Sequence, residues 1–586
     1  MRPSLTSTLV TLCIVAACTP QAGIGPAGSA SRTQVTLPFN WPYRGREPIG
    51  TGQNGVVVTS DSRATRVGID VLEAGGNAID AAVAVGFALA VVLPEAGNIG
   101  GGGFMVIRKA DGEIASLDFR EMAPQSLTPD VYLGMDGLPT DDSREGILSV
   151  GVPGTVAGLA EAHRVYGSQP WKDLVEPAVD LAQNGFTVSA RLHDGLTQRA
   201  ARLQQYETTA QIFYPGGNPP RFGSTFSQPL LAQSLRIIGL EGKDAFYAGR
   251  IAEQIVQEMQ RAGGLITYQD LISYTAKWRD PIVFTYRSRQ VISMAPPSSG
   301  GVALAEILKI LEGYDVESYG FNSPESIHLF VEAARRAFAD RNYYLGDPDF
   351  VEIPVDELIS DAHAVELRSS ISLSRASASE LYNRVPLLDE GINTTHYSIV
   401  DSEGTAVAVS YTINSSYGSG ITVRGAGFLL NNEMDDFTVR EGVANQYELV
   451  QSDKNLVGPG RRPLSSMSPT IVVDSAGALL MVLGSPGGAK IITAVSQVIV
   501  DVIDHGMDVR TAVNAPRVHH QLLPDEILFE TYGFDGFVVG ELSDMGHEIS
   551  PNAGYFGSVQ LIIRWPDGTL RGAHDPRREG GRALGY

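Results

Sequence analysis

The stretch that decides the fold is TTHYSIVD-SEG-TAVAVSYT, which runs from Thr394 to Thr412. Residues 394–401 and 405–412 both alternate and are rich in Val, Ile, Tyr and Thr, so they predict two β-strands. The loop between them, residues 402–404, ends in glycine, which a three-residue hairpin needs at its left-handed position. This loop fixes the register of the two strands, so Thr394 lies opposite Thr412.

Strand alternation also predicts Asn414 on the same face as Thr412, because it lies two residues further along. The hairpin would therefore gather Thr394, Thr412 and Asn414 at its open end. The polar segment 353–393, which we expect to be partly mobile, leads into that end. A threonine in a strand is most often there for its β propensity, so the hairpin alone does not establish a site.

Similar strand pairs flank three further loops that end in glycine, residues 110–112, 475–477 and 566–568. Residues 63–93 predict two helices separated at Gly75-Gly76, and residues 324–345 predict another, opened by a serine cap and a proline. The apolar helix over 78–93 is too short for a membrane span and is expected in the core. Sheets interleaved with helices, without regular βαβ units, predict an α+β fold.

The composition is that of an ordinary globular protein, with 586 residues, 43% hydrophobic and 19% charged. The formal net charge of −22 disfavours a nucleic-acid partner, because binding phosphates requires a basic surface.

The N-terminus predicts an export signal over residues 1–18. A short apolar run, residues 9–17, is followed by Cys18 in the quartet VAAC, which resembles a bacterial lipobox. Lipid on Cys18 would anchor an exported protein, at the outer membrane or in the periplasm, and residues 19–50, rich in Gly, Pro, Ser and Ala, would form a tether. An ordinary secretory signal, cut slightly later, is the alternative. Either cleavage leaves at most one cysteine, so no intrachain disulfide forms.

Nine ordered stretches resemble the γ-glutamyltranspeptidase family of the N-terminal-nucleophile hydrolases, and they extend from about residue 50 to the C-terminus. They are GGNAIDAAVA (75–84), GNIGGGGFM (97–105), DFREMAP (118–124), ADRNYYLGDPDF (339–350), TTHYSIVD (394–401), LLNNEMDDF (429–437), RPLSSMSPT (462–470), GSPGG (484–488) and NAPRVHHQLLPDE (514–526). The resemblance implies a four-layer αββα sandwich, with two stacked antiparallel sheets flanked by helices.

The resemblance also implies autocatalytic cleavage between Asn393 and Thr394. Cleavage would give a large subunit, residues 51–393, and a small subunit, residues 394–586, that form one intertwined heterodimer. The new α-amino group of Thr394, with an ordinary pKa of roughly 7.7–8.0, could act as the base for the Thr394 hydroxyl.

An acyl-transfer site needs hydrogen-bond donors for the oxyanion. Gly487 and Gly488 lie between a predicted strand and a helix from about residue 489, where amide groups point outward at a positive helix end. A plain strand–helix turn would give the same pattern. The resemblance implies that these two glycines form the oxyanion hole.

The family's substrate-binding residues can be assigned by motif. Arg120, Ser465 and Ser466 correspond to residues that bind the α-carboxylate of the glutamyl group. Asn414, Glu433 and Asp436 correspond to residues that accept hydrogen bonds from its α-ammonium. Tyr447 corresponds to a lid tyrosine, and Thr412 belongs to the catalytic group.

We expect no cofactor and no metal. The pair His519-His520 points to opposite faces if it lies in a strand, and the sequence offers no third ligand beside it.

The resemblance therefore implies a γ-glutamyltransferase and glutathione hydrolase. It would act on glutathione and related γ-glutamyl compounds, with water, amino acids or dipeptides as acceptors. Three alternatives stay open: a cephalosporin (glutaryl) acylase of the same superfamily, a poly-γ-glutamate depolymerase, and a lipoprotein that binds peptides without turnover. Acceptors for an ammonium favour the glutamyl group over the glutaryl group, which has none to donate.

Overall fold

Two seven-stranded antiparallel sheets stack face to face, and helices cover both outer surfaces. This confirms the α+β fold and the four-layer αββα arrangement. The structure is a computed structural model and describes residues 1, 35–45, 48–382, 394–440, 451–552 and 554–586. Thr36–Tyr586 forms one compact unit.

The strands of the described residues are β1 (Gly50–Gly52), β2 (Val56–Thr59), β3 (Gly102–Arg108), β4 (Ile114–Phe119), β5 (Phe186–Thr187), β6 (Thr225–Phe226), β7 (Lys277–Arg279), β8 (Ile282–Tyr286), β9 (Arg289–Ser293), β10 (Thr395–Val400), β11 (Ala406–Thr412), β12 (Thr470–Val473), β13 (Leu479–Gly484), β14 (Val518–His519), β15 (Leu528–Phe529), β16 (Gln560–Arg564), β17 (Leu570–His574) and β18 (Arg582–Gly585).

The α-helices of the same residues are α1 (Ser62–Glu73), α2 (Ala78–Val92), α3 (Thr155–Tyr166), α4 (Trp171–Asn184), α5 (Ala190–Gln198), α6 (Ala200–Leu203), α7 (Glu207–Phe213), α8 (Pro229–Glu241), α9 (Asp244–Tyr247), α10 (Arg250–Ala262), α11 (Tyr268–Ser273), α12 (Gly300–Glu312), α13 (Val316–Tyr319), α14 (Pro324–Tyr344), α15 (Val355–Leu358), α16 (Asp361–Ser369), α17 (Lys490–Ile503), α18 (Val509–Asn514) and α19 (Gly536–Asp544).

Each large sheet contains strands from both sides of residue 394. The first has the order β1-β17-β16-β13-β12-β9-β8, and the second has the order β18-β2-β10-β11-β3-β4-β7. Helices α1, α2 and α3 cover the second sheet, and α12, α17 and α18 cover the first. Neither half of the chain could keep a complete sheet without the other.

The central hairpin has the register that the sequence predicts. Thr395 pairs with Tyr411, and the pairing continues without a shift to the end of β10. Gly404 closes the loop with φ at 90°. Because β11 ends at Thr412, the prediction that strand alternation carries Asn414 to the same face is wrong. Asn414 has φ at 69°, in the left-handed region, so a turn brings it beside Thr412.

The glycine run at 97–103 is the close-packed turn that the sequence predicts between a helix and a sheet. A Cβ atom on Gly101 would lie 1.9 Å from the carbonyl oxygen of Thr412, and one on Gly100 would lie 2.1 Å from that of Leu429. Only glycine permits this approach of the loop to β11.

Helix α2 is a core helix, as predicted. Every residue from Ala78 to Val92 is buried, and Asn77 caps the helix in a reciprocal arrangement with Asp80. Among the described residues, no helix combines the length and the apolar character that crossing a bilayer requires.

The segment before the hairpin is more ordered than its sequence suggests. Helices α15 and α16 occupy its first half, and the chain beyond them is held where Asp525 pairs with Arg335 and accepts a hydrogen bond of 2.7 Å from the Ser379 amide. The end of the segment, residues 383–393, lies outside the described residues.

The predicted tether also meets the body earlier than expected. Trp41 is 2% exposed, and its indole N–H donates to the carbonyl oxygen of Asn514 at 2.6 Å. Arg577 lies over the same ring. A free tether can therefore extend only to a point before Trp41.

Candidate active site

One cavity collects most of the residues that the sequence singles out. Its lining consists of a threonine pair, a cluster of charged and polar groups, and the start of α17: Arg120, Arg341, Thr394, Thr412, Asn414, Glu433, Asp436, Leu464, Ser465, Ser466, Met467, Gly488, Ala489 and Ile491. These residues are up to 371 positions apart in the chain (491 − 120), so the stacked sheets bring them together.

Thr394 lies directly before β10 and is 6% exposed. Its carbonyl oxygen accepts a hydrogen bond of 3.3 Å from Arg578, which holds the backbone at this point. Beside it, the Thr412 hydroxyl oxygen accepts a hydrogen bond of 2.8 Å from the Asn414 amide. The hairpin and the left-handed turn after it therefore bring the two threonines and Asn414 together at one end.

The two glycines before α17 adopt conformations that side chains resist. Gly487 has φ at 143° and Gly488 has φ at 57°. Gly488 lines the cavity, and Gly487 precedes it at the positive end of a 14-residue helix. Amide groups at such a position are suited to stabilise negative charge.

Arg120 is the centre of the charged part of the cavity. It lies just beyond β4, is fully buried, and forms ion pairs with Glu433 and Asp436 through its two terminal nitrogens. Its Nε donates to the carbonyl oxygen of Pro463 at 3.2 Å. The guanidinium is thus fixed in orientation by acids and backbone.

The carboxylates around Arg120 outnumber the positive charges that they contact. Glu121 lies 3.6 Å from Arg120 and is also buried. Within the described part of the chain, Glu433 Oε2 and both oxygens of Glu121 accept no hydrogen bond. Burial raises the pKa of Asp436 to about 8 and that of Glu121 to about 7, and it raises the pKa of Glu433 well above its usual range. The site therefore holds acceptors that lack a cationic donor.

A short 3₁₀ helix, Glu433–Asp436, carries both acids that contact Arg120. Asn414 links this helix to the hairpin, because its side-chain amide donates to Asn432 O at 3.0 Å and to Asp436 Oδ1 at 3.3 Å. The positions of the acids are therefore coupled to the threonine pair.

Ser465 and Ser466 line the same cavity, and the sequence analysis did not identify the arginine that contacts Ser466. Arg341 donates to Ser466 Oγ at 3.2 Å and to Ser299 Oγ at 2.9 Å, and it lines the same cavity. Arg341 lies in the motif ADRNYYLGDPDF, so the resemblance of that motif to the family could have identified it. Nothing in the sequence shows that the last turn of α14 faces the cavity.

Three predicted functional residues, Cys18, Asn393 and Tyr447, lie outside the described residues. His519 and His520 are buried and bonded to other side chains. His519 contacts Thr493 and Gln521, each at 2.8 Å, and His520 contacts Asp525 at 3.2 Å.

The cavity thus combines a buried threonine directly before a central strand, a glycine at the start of a helix and a cluster of carboxylates. The αββα sandwich and this site define an N-terminal-nucleophile hydrolase.

Comparison with known proteins identifies the family. The profile of the family Gamma-glutamyltranspeptidase matches residues 64–585. The glutathione hydrolase proenzyme of Escherichia coli (strain K12) is 48% identical over 539 residues, covering 91% of this chain and 92% of that one. The chain therefore belongs to the γ-glutamyltranspeptidase family.

Solved structures agree. The cephalosporin acylase from Bacillus halodurans is 27% identical with a TM-score of 0.82, covering 94% of this chain and 99% of that one. The γ-glutamyltranspeptidase of Helicobacter pylori is 44% identical with a TM-score of 0.54, covering 54% of this chain and 92% of that one.

Proposed function

We propose that this protein is a γ-glutamyltransferase and glutathione hydrolase that is made as a proenzyme. The observation that carries the proposal is the shared cavity. Thr394 lies in it together with Arg120 and with acceptors that have no cationic donor. A γ-glutamyl compound presents three matching features: a scissile γ-amide, an α-carboxylate and an α-ammonium.

The α end of the glutamyl group would be bound through both of its charges. Its carboxylate would be bound by Arg120 and the hydroxyl groups of Ser465 and Ser466, as a guanidinium and hydroxyl donors suit a carboxylate. Its ammonium would be bound by Glu433 and Asp436. Glu433 Oε2 accepts no hydrogen bond within the described residues, so the ammonium would supply the missing donor.

The chemistry would start at Thr394 after cleavage of the bond to Asn393. The free α-amino group takes the proton of the Thr394 hydroxyl, and Oγ1 forms a bond to the γ-carbonyl carbon. The amides of Gly487 and Gly488 would stabilise the resulting oxyanion. Collapse breaks the C–N bond, the protonated amino group of Thr394 gives its proton to the leaving amine, and a γ-glutamyl ester forms. Water or the amine of an amino acid or dipeptide then takes the glutamyl group.

Maturation would divide the chain into a large subunit, residues 51–393, and a small subunit, residues 394–586. Strands from both sides of residue 394 pair with each other in both large sheets, which supports lasting association of the fragments. Residues 1–18 would direct export. Lipid on Cys18, followed by a tether that ends before Trp41, would hold the enzyme in the periplasm or at the outer membrane.

The decisive experiment combines mass analysis with turnover. Mass analysis of the wild-type protein should find two fragments, produced by cleavage between Asn393 and Thr394. The protein should turn over a γ-glutamyl anilide, and faster when a dipeptide acceptor is added. Thr394→Ala should stay uncut and inactive. Fully active protein with an intact chain would overturn the proposal.

A glutaryl acylase is the alternative with a specific observation behind it, since the fold is similar to that of the cephalosporin acylase from Bacillus halodurans. A glutaryl group would leave the acceptors at Glu433 and Asp436 unpaired, which is costly in a buried site. We therefore expect turnover of γ-glutamyl anilide to exceed that of glutaryl anilide by at least about 10²-fold. The opposite preference would make the protein an acylase. Either enzyme should be cleaved before Thr394, whereas a protein that only binds peptides should stay uncut.

A further inference from the structure

Three side chains outside the active site converge from three helices: Glu306 on α12, Asp340 on α14 and His363 on α16. One potential ligand atom of each lies within 4.8 Å of the other two. His363 Nε2 and Asp340 Oδ2 are 2.7 Å apart. Because α12 packs against both α14 and α16, the core holds the three groups together.

Glu306 is the anomalous member of this group. It is 2% exposed, and neither carboxylate oxygen has a hydrogen-bond partner within the described part of the chain. It faces the carboxylate of Asp340 in the cluster. The amine that could have neutralised it, Lys309 one turn further along α12, pairs with Asp361 instead. A buried carboxylate without a partner is costly, and a bound cation would remove that cost.

A second group with similar spacing shows what a satisfied cluster looks like. His328, Glu332 and His547 also converge. There, Glu332 pairs with Arg336 at 2.7 Å, and His328 uses one ring nitrogen for His547 at 2.8 Å and the other for Ser372 O at 2.7 Å. The hydrogen-bonding groups are already used, so this group gives no reason to add a cation.

We propose that Glu306, Asp340 and His363 bind one Zn²⁺, with water as the fourth ligand. An imidazole nitrogen with two carboxylate oxygens is a donor set that zinc accepts, at distances of roughly 2.0–2.2 Å. The two carboxylate charges balance the ion. Ca²⁺ and Mg²⁺ prefer sites made only of oxygen, so the imidazole favours zinc over them.

The ion would connect the segment before Thr394 to a wall of the active site. Helix α16 lies in that segment. Asp340 precedes Arg341, which reaches Ser466 in the cavity. Zinc would therefore stabilise the precursor segment and α14 as one unit. The proposal is independent of the γ-glutamyl activity, because none of its three ligands contacts the cavity.

The test uses full-length protein that is purified without a polyhistidine tag. Elemental analysis should find about one zinc per chain. After chelation, a ten- to hundredfold excess of ZnCl₂ over the dissociation constant should raise Tm by about 1–2 degrees, and equal CaCl₂ or MgCl₂ should not. Glu306→Gln and His363→Ala should abolish the response to zinc. Glu306→Gln should also raise the Tm of the metal-free protein, because it removes the unpaired carboxylate.

Glu366→Gln is the matched control, because Glu366 is exposed on α16, three residues after His363. It should keep the full zinc response. Wild-type protein that shows no zinc response, or a response that survives both ligand substitutions, would overturn the proposal. A response to CaCl₂ or MgCl₂ alone would overturn the assignment to zinc.

Discussion

Two buried charge clusters differ in their ratio of arginines to carboxylates. The site cluster consists of Arg120, Glu121, Glu433 and Asp436, with one arginine for three carboxylates. The paired cluster consists of Arg517, Glu530, Asp575 and Arg577, with two arginines for two carboxylates. The side chain of Asp436 is 11% exposed, and those of the other seven residues are at most 1% exposed.

In the paired cluster each carboxylate is saturated. Arg577 binds Glu530 through two hydrogen bonds of 2.6 Å and Asp575 through one of 3.0 Å. Backbone amides donate further hydrogen bonds to these carboxylates. The amide of Val559, for example, donates to Asp575 at 3.0 Å. The positive charges of Arg517 and Arg577 outweigh burial and hold the pKa of Asp575 below its usual range. The two carboxylates of this cluster are therefore satisfied without a ligand.

In the site cluster the balance is reversed. Burial outweighs the single guanidinium and raises the pKa values of Glu121, Glu433 and Asp436. Acceptor atoms on Glu121 and Glu433 have no donor among the described residues. The difference teaches that a buried cluster short of positive charge is prepared to bind a cationic group, whereas a balanced one stabilises the fold.

The strongest way to break the comparison is to remove the central arginine of the site cluster. Arg120→Ala should lower kcat/KM for a γ-glutamyl anilide by about 10²- to 10⁴-fold, since losing a charged partner in a buried site costs about 3–5 kcal/mol. Cleavage before Thr394 should continue, because Arg120 would hold the substrate and not the scissile bond. Unchanged kinetics would remove Arg120 from substrate binding. Asp436→Ala should also lower kcat/KM strongly and leave cleavage before Thr394 intact.

The matched change in the paired cluster should act on stability instead. Arg577→Ala leaves Glu530 and Asp575 buried without their main partner, so the free energy of unfolding should fall by about 3–5 kcal/mol. At a temperature where the variant is still folded, KM should stay within about twofold of wild type. Urea unfolding together with steady-state kinetics measures both. A large KM change in folded Arg577→Ala would show that the two clusters are not separate.

The sequence predicts the parts of the molecule that depend on local rules. The register from Thr395 to Tyr411 follows from alternation and a glycine turn, and the cap of α14 follows from Ser323. The motifs also predict most of the residues that line the cavity. Position along the chain could not reveal that Arg341 shares the cavity or that Asn414 arrives by a left-handed turn. The pairing of Arg120 with both acids also depends on long-range packing.

The pH dependence of KM sharpens the comparison. Asp436 has a pKa of about 8, and it must be ionised to accept a hydrogen bond from an ammonium. Its ionised fraction falls about fivefold from pH 8 to pH 7, so KM should rise by about that factor over the same interval. Asp436→Asn should raise KM at every pH and remove the inflection near pH 8. If the variant keeps that inflection, another group is responsible for it.

The smallest effect concerns Glu121, whose carboxylate lies beside that of Glu433 and accepts no hydrogen bond from a donor group among the described residues. Its pKa of about 7 lies above the ordinary value of 4.5, so the folded state binds this proton more tightly than the unfolded state does. Stability should therefore fall as pH rises from about 4.5 to about 7 and then level off. Glu121→Gln keeps the shape but removes the ionisable group, so at pH 8 it should raise the free energy of unfolding by about 3 kcal/mol. The gain should disappear at pH 4. A variant that is less stable than wild type at pH 8 would mean that Glu121 is paired in solution, and the contrast between the two clusters would then depend on Glu433 alone.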